Sequence, residues 1–172
     1  IEQGTNGAVT VKMYFANSLG AQDVIVQGLM DGSIDLSLEF IDSTYNPVFE
    51  VQSLPFIASN FDEMEYIFSP GSQVYSLVDK GFSDIGIKLL GVYCEGLTGV
   101  SCKNMPESYN TWDQKKEPIR VWNSAVAKAG MTAMGYNTVA MTWSDTYSSI
   151  QTGIVNGSVG QTSLGVYTNL RD

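Results

Sequence analysis

Apolar residues recur along this chain with two alternating periods, and that alternation limits the fold more than any other feature. Residues 8–15 alternate strictly: Val9, Val11, Met13 and Phe15 face one way, and Thr10, Lys12 and Tyr14 the other, the pattern of a half-buried strand. Residues 21–30 then carry Val24, Ile25, Val26, Leu29 and Met30, a helix closed by Asp31-Gly32, because glycine takes the left-handed C-cap without steric cost. Residues 34–41 return to the strand period, with Leu36, Leu38 and Phe40 on one side. Residues 42–47 read as a loop, and Ser53-Leu54-Pro55-Phe56-Ile57 as a turn or sheet edge, since proline lacks an amide donor.

The alternation continues. Asn60 followed by Glu63 marks a helix start, with Phe61, Met64 and Phe68 on one face and Ser69-Pro70-Gly71 as the stop. The stripe Val74, Leu77, Val78, Phe82 and Ile85 predicts a helix over 72–85. Residues 87–93 are so apolar that burial on both faces is expected. Strands are expected over 97–102, 119–122, 138–141 and 154–159, with a polar loop and a turn of helix over 105–118. Helices are expected over 125–134, ended by Gly135, and from a Ser144 cap through Gln151. Strands alternating with helices specify the α/β class with a largely parallel sheet. No internal repeat or low-complexity linker interrupts the chain. A division near Glu95-Gly96 separates 1–95 from 96–172.

Composition removes several functions. A net charge of −9 argues against nucleic acid and anionic membrane surfaces, both of which select clustered Lys and Arg. Histidine is absent, so Ser-His-Asp and Cys-His nucleophile arrangements are excluded. Carboxylates, lysines and tyrosines leave a small acidic-residue enzyme as the minor reading. There is no GxxxxGK[ST], GxGxxG, EF-hand loop or HExxH, so no cofactor and no metal is expected. Cys94 and Cys102 fit no CxxC pattern; a disulfide requires neighbouring strands, and two buried thiols are the simpler expectation. No apolar run reaches the roughly 18 residues of a membrane span. A basic-then-apolar leader is not expected in these residues, as in a mature exported chain.

One charge stands out. The chain has two arginines, Arg171 beside the C-terminus and Arg120 inside the apolar strand Ile119-Arg120-Val121. A planar guanidinium binds a carboxylate bidentately and stays charged when partly buried, so Arg120 is the candidate anion anchor. The alternative is an internal salt bridge to one of 18 acids. Trp122, Asn123, Trp143 and Tyr147 lie near it in sequence, a mixture suited to an apolar-walled pocket with a few orienting polar groups, or to core packing. Glu39 and Glu95 end apolar strands, where α/β sheets present ligand clefts, or are exposed strand-end charges.

Ordered landmarks then give a resemblance. Thr5-Asn6-Gly7 precedes the first strand, and Leu19-Gly20 opens a helix ending in Gly32-Ser33-Ile34-Asp35. Leu54-Pro55-Phe56, Asn60-Phe61-Asp62-Glu63, Lys88-Leu89-Leu90-Gly91, Gly96 and Ile119-Arg120-Val121 follow. Trp143-Ser144-Asp145-Thr146-Tyr147 and Gln151-Thr152-Gly153-Ile154-Val155-Asn156-Gly157 complete the series. Together they resemble the solute receptors of tripartite ATP-independent periplasmic (TRAP) transporters, of the DctP type. The resemblance implies a two-lobed periplasmic-binding-protein-like α/β fold with a ligand cleft between lobes 1–95 and 96–172. It also implies a small organic carboxylate as ligand, delivery to membrane permease subunits, and a periplasmic or extracytoplasmic place, lipid-anchored in a Gram-positive cell. Arg120 would hold the carboxylate, with Asn123 and Trp143 where the family often places ligand contacts, and Phe40 and its neighbour Glu39 on the first lobe's cleft strand. A sensor domain of the same fold, for an aromatic or organic acid, is the alternative.

The resemblance departs at two positions. Thr98 stands where many members have a second arginine, and Gly160 where an asparagine is common. Both argue against a dicarboxylate or sialic-acid-like contact set, and the tryptophans lean toward a bulkier or aromatic monocarboxylate. The chain is also short for the family: the first strand and closing C-terminal helices are expected to be missing, which would leave apolar surface and sheet edges open to self-association.

Overall fold

A computed structural model describes residues 1–15 and 18–171. It divides into two compact units, Ile1–Phe40 and Ile41–Asp172. This boundary is distinct from the expected lobe division near Glu95-Gly96.

In the first unit a 3₁₀ turn, Gln3–Thr5, precedes the left-handed Asn6 at φ 50°. Helix α1, Gln22–Asp31, forms where its apolar residues predict, buries Ile25 and Val26, and ends in a left-handed Gly32 at φ 79°. Ile34 N–H closes that end by donating to the Gly28 carbonyl at 3.0 Å. Residues 8–15 and 34–40 join no ladder among the described residues. The strands expected there are therefore corrected to unpaired segments. Alternation encodes a face, but a strand also needs a neighbour in register. Met13 and Leu38 consequently stay exposed.

The second unit has a 3₁₀ run, Pro47–Ser53, lying between the expected loop over 42–47 and the expected turn or edge over 53–57. Its signal was present: the Asn46 carboxamide caps Val48 N–H at 3.1 Å, and proline sits at the first position. Helix α2, Phe61–Phe68, has the expected capping box. Asn60 Oδ1 accepts Glu63 N–H at 2.9 Å, and the Glu63 carboxylate accepts Ser59 N–H at 2.7 Å. Helix α3, Gln73–Asp84, is capped by Ser72. Residues 87–93 are another correction: expected to be buried on both faces, they join no ladder, and Leu90 and Tyr93 are exposed.

A four-stranded sheet follows, in the order β1-β4-β2-β3. Its strands are β1 Gly99–Cys102, β2 Pro118–Val121, β3 Asn137–Ala140 and β4 Gly157–Gln161. β2 pairs parallel with both β3 and β4, and β1 pairs antiparallel with β4. Helix α4, Ala125–Ala133, links β2 to β3, and α5, Thr146–Gln151, links β3 to β4. Ile119 and Val121 of β2 pack with Met131 of α4 and with Tyr136. Because strand side chains alternate, Arg120 between them points to the opposite face. α5 begins at Thr146, with Asp145 at the cap position, so Ser144 is not its cap. The Ser144 hydroxyl pairs with that of Thr142 at 2.9 Å instead. A last helix α6, Ser163–Asn169, not expected from sequence, is capped by Thr162. Cys94 is exposed and Cys102 half-buried, both as free thiols, which corrects the expectation of two buried ones. Among the described residues no helix is long and apolar enough to cross a membrane.

Candidate functional site

β2 places Arg120 between Val139 of β3 and Ser158 of β4, at 4% exposure. Its Nε donates to the Met141 carbonyl at 3.1 Å. The guanidinium lies 5.6 Å from the Trp143 ring centroid, cation-π range. Among the described residues no carboxylate comes within ion-pairing distance, so the internal salt bridge is not formed. Burial alone pushes the guanidinium down to about 10, with no opposing charge to raise it. Every fully buried side-chain nitrogen or oxygen among the described residues has a partner. Among the described residues the Nη atoms make no hydrogen bond. A guanidinium with a free Nη edge has the chemistry to receive an anion.

The residues after Arg120 leave the strand and grip the run before α2. Trp122 Nε1 donates to Ser53 Oγ at 3.3 Å, Asn123 Nδ2 to Thr44 Oγ1 at 2.9 Å, and Ser124 Oγ to Glu50 Oε2 at 2.5 Å. Glu50 also accepts Ala125 N–H at 2.9 Å and Ser43 Oγ at 2.7 Å. Burial raises the Glu50 carboxyl, but the hydrogen bonds from Ser124, Ser43, Ala125 and Val126 outweigh it and hold the group below the usual carboxylate range. Sequence reading missed Glu50 because it sits in a short turn-rich run, with its partners 74 to 76 residues away.

Thus Arg120 and Trp143 come together, while Trp122 and Asn123 engage residues 44–53. Tyr147 is at 36% exposure, and its hydroxyl accepts from Gln151 at 2.7 Å. Glu95 is exposed. In the first unit Glu39 is half-buried, and burial raises its carboxyl while the Phe40 N–H partly offsets this. Phe40 is exposed at the side chain, and its carbonyl accepts the Gln22 side-chain amide. A cavity of about 280 Å³ lies elsewhere in the second unit, lined by Phe61, Met64, Phe68, Val92 and Cys94 among others, without Arg120. Among the described residues no His, Cys, Asp and Glu cluster could hold a metal ion.

Residues 1–168 match the family model of bacterial extracellular solute-binding protein, family 7, DctP. The C4-dicarboxylate-binding periplasmic protein DctP of Rhodobacter capsulatus is 26% identical over 164 residues, 91% of this chain and 47% of that protein. A TRAP periplasmic solute-binding protein of Haemophilus influenzae with bound L-gulonate superposes with a TM-score of 0.79 at 21% identity, covering 96% of this chain and 53% of that one. One from Desulfovibrio salexigens with bound orotic acid gives 0.75 at 20% identity, covering 92% and 51%. The chain spans about half the length of the curated relatives it matches, 47% of the R. capsulatus protein. The match over residues 1–168 and the shared α/β architecture make this chain a member of the DctP family of bacterial extracellular solute-binding proteins.

Proposed function

We propose that the chain is the ligand-gripping part of an extracytoplasmic TRAP solute receptor. Arg120 anchors a small organic carboxylate in a cleft between lobes divided near Glu95-Gly96, for delivery to the membrane permease. The observation that carries this reading is Arg120 itself: buried in β2, unpaired with any described carboxylate, and flanked by Trp143. Burying an unpaired charge costs several kcal/mol unless a partner is supplied, and an external anion would supply that partner. Family membership supports the rest. L-gulonate, orotic acid and the C4-dicarboxylates named for the three relatives are all carboxylic acids. Asn123, Trp122 and Tyr147 are proposed as neighbouring contacts. Glu39 and Phe40 are proposed as ligand contacts on the family resemblance, and Glu95 on its place at the end of an apolar run. The proposed place is periplasmic, as the relatives' names state for them, or lipid-anchored outside a Gram-positive membrane.

Calorimetric titration with a panel of organic acids tests this. Arg120→Ala is expected to cost on the order of 2–5 kcal/mol of binding to whichever acid binds best. Unchanged affinity in that variant would remove Arg120 from the site.

A further inference from the structure

In the parallel β2–β4 register Arg120 lies opposite Ser158. Carrying that register two residues further sets Trp122 opposite Gly160, on the same face as Arg120. The packing agrees. A Cβ on Gly160 would sit 2.4 Å from Trp122 Cζ3 and 3.2 Å from Cη2, so the indole already fills the space of a side chain there. Gly160 also has φ +91°, a conformation L residues rarely adopt. Glycine is thus required twice: for its backbone and as the seat of the ring. Trp122 Nε1 donates to Ser53 Oγ at 3.3 Å and fixes the ring's orientation.

Trp143 lies 5.6 Å from the guanidinium, and Trp122, just past the end of β2, follows two residues along on the same face. A carboxylate docked on the Nη edge carries its body over this π surface and past position 160, which offers no side-chain donor or acceptor. A polyhydroxylated body would lose hydration at the hydroxyls that face the indole and position 160 without replacement there. A flat apolar body loses little hydration and gains ring contact.

We propose that Trp122, seated on Gly160, is a specificity-determining residue that selects carboxylates with a flat, apolar body over polyhydroxylated acids. The inference rests on Arg120 being the carboxylate anchor. The test titrates phenylacetate and D-glucuronate into the full chain and reads the ratio of their affinities. Wild type is expected to favour phenylacetate by about tenfold or more. Trp122→Leu keeps an apolar side chain beside Gly160 but removes the π face, and is expected to erase that ratio. Trp122→Phe is expected to retain it, and retention separates recognition from mere packing. Arg120→Ala should weaken both acids while leaving their ratio near wild type, so a failed anchor is distinguishable from a failed selector. A Trp122→Leu ratio equal to wild type, or a wild-type preference for D-glucuronate, overturns the proposal. So does wild-type binding of neither acid, which overturns the anchor with it.

Discussion

At Arg120 a stability cost and a binding role meet in one side chain. Burial pushes its pKa from the ordinary guanidinium value down to about 10. That difference corresponds to about 3 kcal/mol of charge-burial cost. The sign is that of a depressed base: folding disfavours the charged form, the cost persists at every pH below about 10, and it is relieved only as pH rises from there. Replacement by an apolar side chain of similar length removes this cost and loses the Nε bond to Met141, worth about 1 kcal/mol. Arg120→Met should therefore raise unfolding free energy by about 1–2 kcal/mol in urea melts while abolishing carboxylate binding. A variant that unfolds more easily would mean the charge is already compensated in the unliganded protein. Sequence reading flagged Arg120 because a charge inside an apolar strand is visible locally. It could not show the missing partner, since any of 18 acids could have folded against it. The Trp122, Asn123 and Ser124 bonds were hidden for the same reason, spanning 69, 79 and 74 residues.

At the scale of an element, α4 is held at both ends by charged side chains from distant runs. At its N-terminus the Glu50 carboxylate accepts Ala125 N–H at 2.9 Å and the hydroxyl of the Ser124 cap at 2.5 Å. At its C-terminus buried Lys115 donates to the Met134 carbonyl at 2.7 Å and to the Thr111 carbonyl at 2.5 Å. Both charges complement the helix dipole. Glu50 thereby fixes the turn that carries Trp122 and Asn123, just beyond Arg120. Glu50→Gln keeps the shape and loses the charge, so it should cost about 1 kcal/mol at neutral pH. The folded carboxyl lies below its ordinary 4.5, so its contribution is fully present above 4.5 and is lost as pH falls through the lower folded value. The stability gap between wild type and Glu50→Gln in denaturant melts should then shrink with acidification. A gap that stays constant to strongly acid pH would show that charge plays no part. The helix itself was legible from its apolar stripe and Gly135, because those signals are local. Its clamps were not, because neither Glu50 nor Lys115 is near α4 in a sequence pattern.

At the scale of the whole molecule, local signals held and long-range pairing did not. The Asn60–Glu63 capping box and the Gly32 stop lie within a turn of the elements they end, and both are where the sequence places them. Residues 8–15, 34–40 and 87–93 have strand patterns yet no ladder among the described residues, because neither a period of two nor a continuous apolar run states which neighbour a strand pairs with. What remains is backbone outside any ladder, carrying exposed Phe15 at 72%, Leu38 at 81% and Leu90 at 73%. Such segments template pairing with another copy, and only charge opposes it. A net charge of −9 repels copies at low ionic strength, but the Debye length shrinks to about 3 Å at 1 M salt. Self-association of this chain should therefore grow with salt, the reverse of an ion-pair interface, and be visible by sedimentation velocity. Lysine on an edge is the natural block. Leu38→Lys with Leu90→Lys should weaken association by about tenfold, or about 1.4 kcal/mol, at fixed salt. A chain that stays monomeric as salt rises would show that these segments are protected in solution. Association that falls with salt would place its cause in charge pairing and not in these apolar runs.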